Sequence, residues 1–124
     1  MDSSADLAGV AILIVEDEPL IALDLQATLQ AAGASVTCCK ADDGVAMVGQ
    51  QKFSAAVLDA RPGSSEHRPI ARRLRDSGVP FLFYSTQAPD DVTTVRGAPV
   101  VLKPGRPQEI VAAVALLLGR NVRP

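Results

Sequence analysis

Glu16, Asp17, Asp59, Ser85, Thr86 and Lys103 each stand at the end of an apolar run, and together they are equipped to handle a charged group. Glu16 and Asp17 follow Val10–Val15, and Asp59 ends the run that begins at Ala55. Ser85 and Thr86 close the run from Pro80, and Lys103 follows Val100–Leu102. With those runs side by side, three carboxylates, a hydroxyl and an ammonium meet at one edge. Two carboxylates about 4 Å apart repel by roughly 4 kcal/mol at an effective dielectric near 20, so such a cluster calls for a proton or a cation. Oxygen ligands with room for water, and neither sulfur nor imidazole, favour Mg2+ over zinc.

The elements that must position these groups alternate in type. Val10–Val15 is a continuous β-branched and aliphatic run, as expected of a strand buried on both faces. Leu20, Ile21, Leu23, Leu25, Leu29 and Ala32 fall near helical spacing, and Gly33 suits the residue just past a helix end. Ser35–Cys39 reads as a second strand, and Asp42 or Asp43 as the cap of a helix running through Val45, Val48 and Gln51. Ala55–Asp59 is a third strand, followed by a loop at 60–65 with Pro62 and Gly63. A helix from Pro69 closes at Gly78, Pro80–Ser85 is the fourth strand, Val100–Leu102 the fifth, and Pro107–Leu118 a last helix ended by Gly119. Five strands alternating with helices imply an open parallel sheet covered on both faces, α/β in class, with working groups at the carboxyl ends of its strands.

Composition agrees with one compact domain. The chain has 124 residues, against a typical allotment of roughly 150 per domain. Hydrophobic residues make up 48% and charged residues 21%, which excludes a disordered chain. Twelve basic against 14 acidic residues leave a net charge of −2, with no basic excess for nucleic acid. No apolar run approaches the ~20 residues that span a bilayer. The acidic start, Met1–Asp6, lacks the positive opening of a signal peptide, so the expected location is the cytoplasm. Cys38 and Cys39 are adjacent, and strand neighbours point to opposite faces, so a disulfide between them is unfavourable.

Glu16-Asp17 after the first strand, Asp59 after the third, Ser85 after the fourth and Lys103-Pro104 after the fifth resemble the receiver domain of bacterial response regulators, the CheY-like superfamily. The likeness runs from about Val10 to Leu118 and leaves no room for an output domain. It implies a doubly wound, flavodoxin-like sheet of strand order 2-1-3-4-5. It implies that Asp59 accepts a phosphoryl group from a histidine kinase or a small donor such as acetyl phosphate. Glu16, Asp17, Asp59 and the backbone carbonyl of Arg61 would hold Mg2+, for which Mn2+ can substitute. Lys103 and Ser85 would meet the phosphoryl oxygens. Signalling would then pass by contact with a downstream protein or by shuttling the phosphoryl group to another carrier. Pro80–Thr86 is similar to the PFxFATG strand of an alphaproteobacterial subgroup, the FATGUY type, whose kinases are often of the HWE type. Here Tyr84, Ser85 and Thr86 stand for its Ala, Thr and Gly.

The chain departs from that pattern in places. Val100 occupies the position of the family's aromatic switch in the fifth strand, and 86–102 is short for a regular helix. A pseudo-receiver, which keeps the fold as an interaction module without being phosphorylated, is therefore the competing reading. A phosphatase would want an acid where Arg61 stands, and a flavin binder a hydroxyl-rich loop where Glu16–Pro19 stands, so no enzyme is expected beyond self-catalysed transfer. Taken singly, Glu16 and Asp17 also suit a solvated cap of the first helix, Ser85 a plain strand end, and Lys103 and His67 the surface. Arg72, Arg73 and Arg75 suit a solvated helix face. Phe81, Phe83 and Tyr84 read as strand and core residues, with partial exposure of Tyr84 the alternative; beside the site, its bulk would slow the access of water. A patch of Val114, Leu117 and Leu118 would support a weak homodimer of an otherwise monomeric chain.

Overall fold

The computed structural model describes residues 7–59, 68–85, 98–102 and 106–119. Its elements alternate as β1 (Ala11–Val15), α1 (Pro19–Ala31), β2 (Ser35–Cys39), α2 (Ala41–Gln50), β3 (Ala55–Leu58), α3 (Arg68–Asp76), β4 (Phe81–Ser85), β5 (Val100–Leu102) and α4 (Pro107–Leu117). All strands pair in parallel, in the order β2-β1-β3-β4-β5, so the expected sheet is the one observed. The 86–97 segment, the loop at 60–67 with His67, and 103–105 lie outside the described residues.

The continuous apolar strands are buried on both sides because helices cover both faces. Ile12, Ile14, Val57 and Leu82 pack with Leu25 and Leu29 of α1 and Ile110 and Val114 of α4. Leu13, Val15, Leu58 and Phe83 pack with Val48 of α2 and Ile70 and Leu74 of α3. The core begins earlier than the sequence suggests. Leu7 is fully buried, its N–H donating to the carbonyl of Ala32. Gly33, Gly78 and Gly119 all have positive φ at helix ends, the conformation for which glycine is favoured.

One expectation is met and two need correction. Tyr84 is 7% exposed and packs in the α1–α4 core cluster, as the core reading of this strand expects, because β4 is covered on both faces and offers no wet side. Val114 is also core, while Leu116 is the exposed leucine of α4 at 68%. Asp42 and Asp43 lie inside the first turn of α2, whose N-cap is Lys40, and neither caps it.

Candidate functional site

A parallel sheet delivers every strand's carboxyl end to one edge, and this sheet reverses its order between β1 and β3, the switch point at which sheets of this kind form their ligand crevice. Backbone hydrogen bonding continues one residue past the strands at that point. The N–H of Asp59 donates to the carbonyl of Val15 at 2.9 Å, and the N–H of Glu16 donates to the carbonyl of Cys39 at 3.0 Å. These two bonds fix the main chain of Asp59 against the end of β1 and that of Glu16 against the end of β2. On the other side of β3, Leu58 pairs with Phe83, and Ser85 lies two residues further along β4, in register with Leu102.

The side chains differ in setting. Glu16 is 6% exposed, and its Oε2 accepts the N–H of Glu18 at 3.0 Å. Asp17 is exposed, and its Oδ1 accepts the N–H of Ala41 at 3.0 Å. Asp59 is half-buried and Ser85 nearly fully buried. Glu16, Asp17, Asp59 and Ser85 therefore share one edge, whereas Lys103, Thr86 and the Arg61 carbonyl lie outside the described residues.

Sequence reading offered Asp17 as a cap for the first helix; the structure gives it to α2, a contact 24 residues away. The reason is local. The first N–H groups of a helix have no acceptor within it, and the N-cap here is Lys40, a side chain with no acceptor to lend. No short-range pattern signals this partnership.

The same geometry keeps the acids apart. Asp17 is tied toward the β2 side of β1 and Asp59 belongs to β3 on the opposite side. Among the described residues no three carboxylate, thiol or imidazole groups converge closely enough to hold a metal by themselves. Mg2+ does not require three, since it keeps several waters and takes one or two carboxylates. An all-oxygen donor set flanking a crevice fits that ion by its chemistry. Burial first, then the carboxylate of Asp43, the Cys38 sulfur and Asp17, push Cys39 up to about 11, and burial raises Cys38.

No family profile matches the chain. It is 31% identical over 128 residues to the phyllosphere-induced regulator PhyR of Methylorubrum extorquens, an alignment covering 93% of this chain and 45% of that protein. The chain thus spans less than half the length of the curated relative it matches. A response regulator receiver protein from Sinorhizobium medicae superposes with a TM-score of 0.77 at 26% identity, covering 89% of this chain and 94% of that one. The receiver domain of the sensor histidine kinase PA1611 from Pseudomonas aeruginosa, which holds magnesium in its active-site cleft, superposes with a TM-score of 0.76. At 22% identity, over 90% of this chain and 99% of that one, this last likeness speaks to the fold alone. No helix among the described residues is long and apolar enough to cross a membrane. By strand order, by the acids at the carboxyl edge and by these likenesses, the chain has the CheY-like fold and is similar to the receiver domains of response regulators.

Proposed function

We propose that the chain is a phosphoacceptor that takes a phosphoryl group from a histidine kinase onto Asp59. The observation that carries this reading is the bond from the Asp59 N–H to the Val15 carbonyl, which sets the aspartate beside Glu16 at the switch point of the sheet. An Asp59 carboxylate oxygen attacks the phosphorus of a phosphohistidine. The P–N bond breaks, its electron pair returns to the imidazole, and an acyl phosphate remains on Asp59. Such transfers depend mostly on positioning and charge neutralisation. Glu16, Asp17, Asp59 and the Arg61 carbonyl would hold Mg2+, or Mn2+ in its stead, and the chemistry it would supply is charge neutralisation of the carboxylate and phosphoryl oxygens. Ser85 donates its hydroxyl to a phosphoryl oxygen, and Lys103 brings a compact positive charge. The signal then leaves by contact with a downstream protein or by transfer to another carrier. The likeness to PhyR supports a response-regulator reading, and the similarity of Pro80–Thr86 to the PFxFATG strand is what favours the alphaproteobacterial subgroup and a kinase of the HWE type.

Intact mass after incubation with acetyl phosphate and Mg2+, and separately with a phosphorylated histidine kinase, tests the reading. One added phosphoryl group is expected, absent from Asp59→Asn. A pseudo-receiver is the second reading, favoured by Val100 in place of the aromatic switch and by the Asp17 carboxylate serving α2. No mass increase from either donor, together with no Mg2+ binding, would establish it instead.

A further inference from the structure

The Asp17 carboxylate faces two demands. It serves the start of α2 through Oδ1, and on the reading above it serves a cation. We infer that the backbone N–H of Ala41 is a positioning group for the metal site, holding Oδ1 of Asp17 so that Oδ2 is presented to the cation. This rests on the proposed Mg2+ site and adds a partner to it from outside the set of acids.

Asp17 sits in an exposed stretch between β1 and α1, with two side-chain torsions to order before it can act as a ligand. The N–H of Ala41 orders them in advance. As the first N–H of α2 it lacks an intrahelical acceptor, so an oxygen from outside the helix is its natural partner. The bond is anchored at both ends. Glu16, next to Asp17, is tied by its N–H to Cys39, and Lys40 receives the N–H of Asp43 as α2 begins. Hydrogen bonds of this kind to ligating carboxylates typically alter metal affinity by about 10–100-fold when removed.

Ala41 allows an unusually clean test, since proline is well suited to the first position of a helix and only removes its N–H. Lys40, at φ −85° and ψ 164°, already has the extended backbone that a following proline requires. Mg2+ affinity would be measured calorimetrically for the wild type, Ala41→Pro and Ala41→Gly, with thermal melts in chelator as the folding control. Unchanged melting with Mg2+ bound about 10-fold or more weakly by Ala41→Pro, and normally by Ala41→Gly, is expected. Equal affinity in all three overturns the inference and leaves the metal site standing. Tighter binding by the proline variant also overturns it, because the N–H would then compete with the cation. No binding by the wild type would sink the metal site and the inference with it. Should the proline variant melt early, hydrogen exchange of the Ala41 amide in the wild type decides: protection that rises with Mg2+ supports a shared carboxylate, and protection that falls refutes it.

Discussion

The two helix layers on this sheet are built on different plans. On one face, α1 and α4 are apolar around much of their circumference, and Leu20, Leu23 and Leu116 remain 74, 61 and 68% exposed. On the other, polar and apolar residues are sorted. Ile70, Ala71 and Leu74 of α3 face the core while Arg72, Arg73 and Arg75 face water. In the sorted layer α2 and α3 approach closely at two glycines. A Cβ on Gly44 of α2 would stand 3.1 Å from the Cδ1 of Ile70, and one on Gly49 would stand 3.1 Å from the Arg73 guanidinium. Beneath them Phe81 and Phe83 meet edge to face, with centroids 5.8 Å apart. The difference teaches that α2, whose start is bonded to the site, is seated on buried side chains of α3 such as Ile70, so that even an added methyl at Gly44 must displace one.

The most severe challenge to that picture is Phe83→Ala. Phe83 is 1% exposed, so truncation removes a large buried ring, its edge-to-face partner contact and much of the floor under α3. A loss of about 3–5 kcal/mol is expected, read from the shift in urea midpoint at constant slope. A loss of about 1 kcal/mol or less would mean that the layer collapses readily onto the gap and is not tightly packed.

Gly44→Ala makes the opposite perturbation at the same interface. Alanine in a helix interior is worth up to about 1 kcal/mol over glycine, which alone would stabilise α2. The new methyl must displace Ile70, which is 1% exposed, and overpacking costs about 1–3 kcal/mol. A net destabilisation of about 1 kcal/mol is the expected balance, partly restored by Ile70→Val in the double variant. Stabilisation by Gly44→Ala would show that α3 gives way freely.

The two layers also differ in how much of them could be read from the sequence. Ser35–Cys39 and Val100–Leu102 were bounded correctly, Val100–Leu102 as an unbroken apolar run and Ser35–Cys39, which is nowhere fully buried, by the helix end at Gly33 before it and the helix after it. The same uniformity hid which way Tyr84 faces, because a run without alternation carries no information about sides. Leu116 was missed, and Val114 misassigned to the surface, for the helical equivalent of that reason: α4 has few polar residues to mark its wet side. Of the candidate site, the strand-end acids were legible because a parallel sheet puts strand ends together. The bond from Ala41 to Asp17 was not, as its donor is a helix's first backbone N–H, which any residue but proline supplies, and its acceptor lies 24 residues away.

Cys38 and Cys39 test the comparison most gently, since adjacent strand positions report on opposite layers. Cys38 packs against the α1–α4 cluster, with its Sγ 3.6 Å from Gln26 Oε1, and Cys39 packs against the α2–α3 cluster. Burial raises both, but Cys39 also feels Asp43 and Asp17 and reaches about 11 from an ordinary 9.0. A thiol raised in the folded state stays protonated there while the unfolded chain ionises. Its contribution is intact below 9.0, and stability declines as the pH climbs from 9.0 toward about 11. Urea midpoints across that window should fall less steeply in Cys39→Ala than in the wild type, with Cys38→Ala changing the slope less. The thiolate is the species that reacts, so a maleimide at mildly alkaline pH should modify Cys38 ahead of Cys39. Faster labelling of Cys39 would mean that the α2 side opens more readily than the α1 side, the reverse of what the glycine contacts with Ile70 and Arg73 imply.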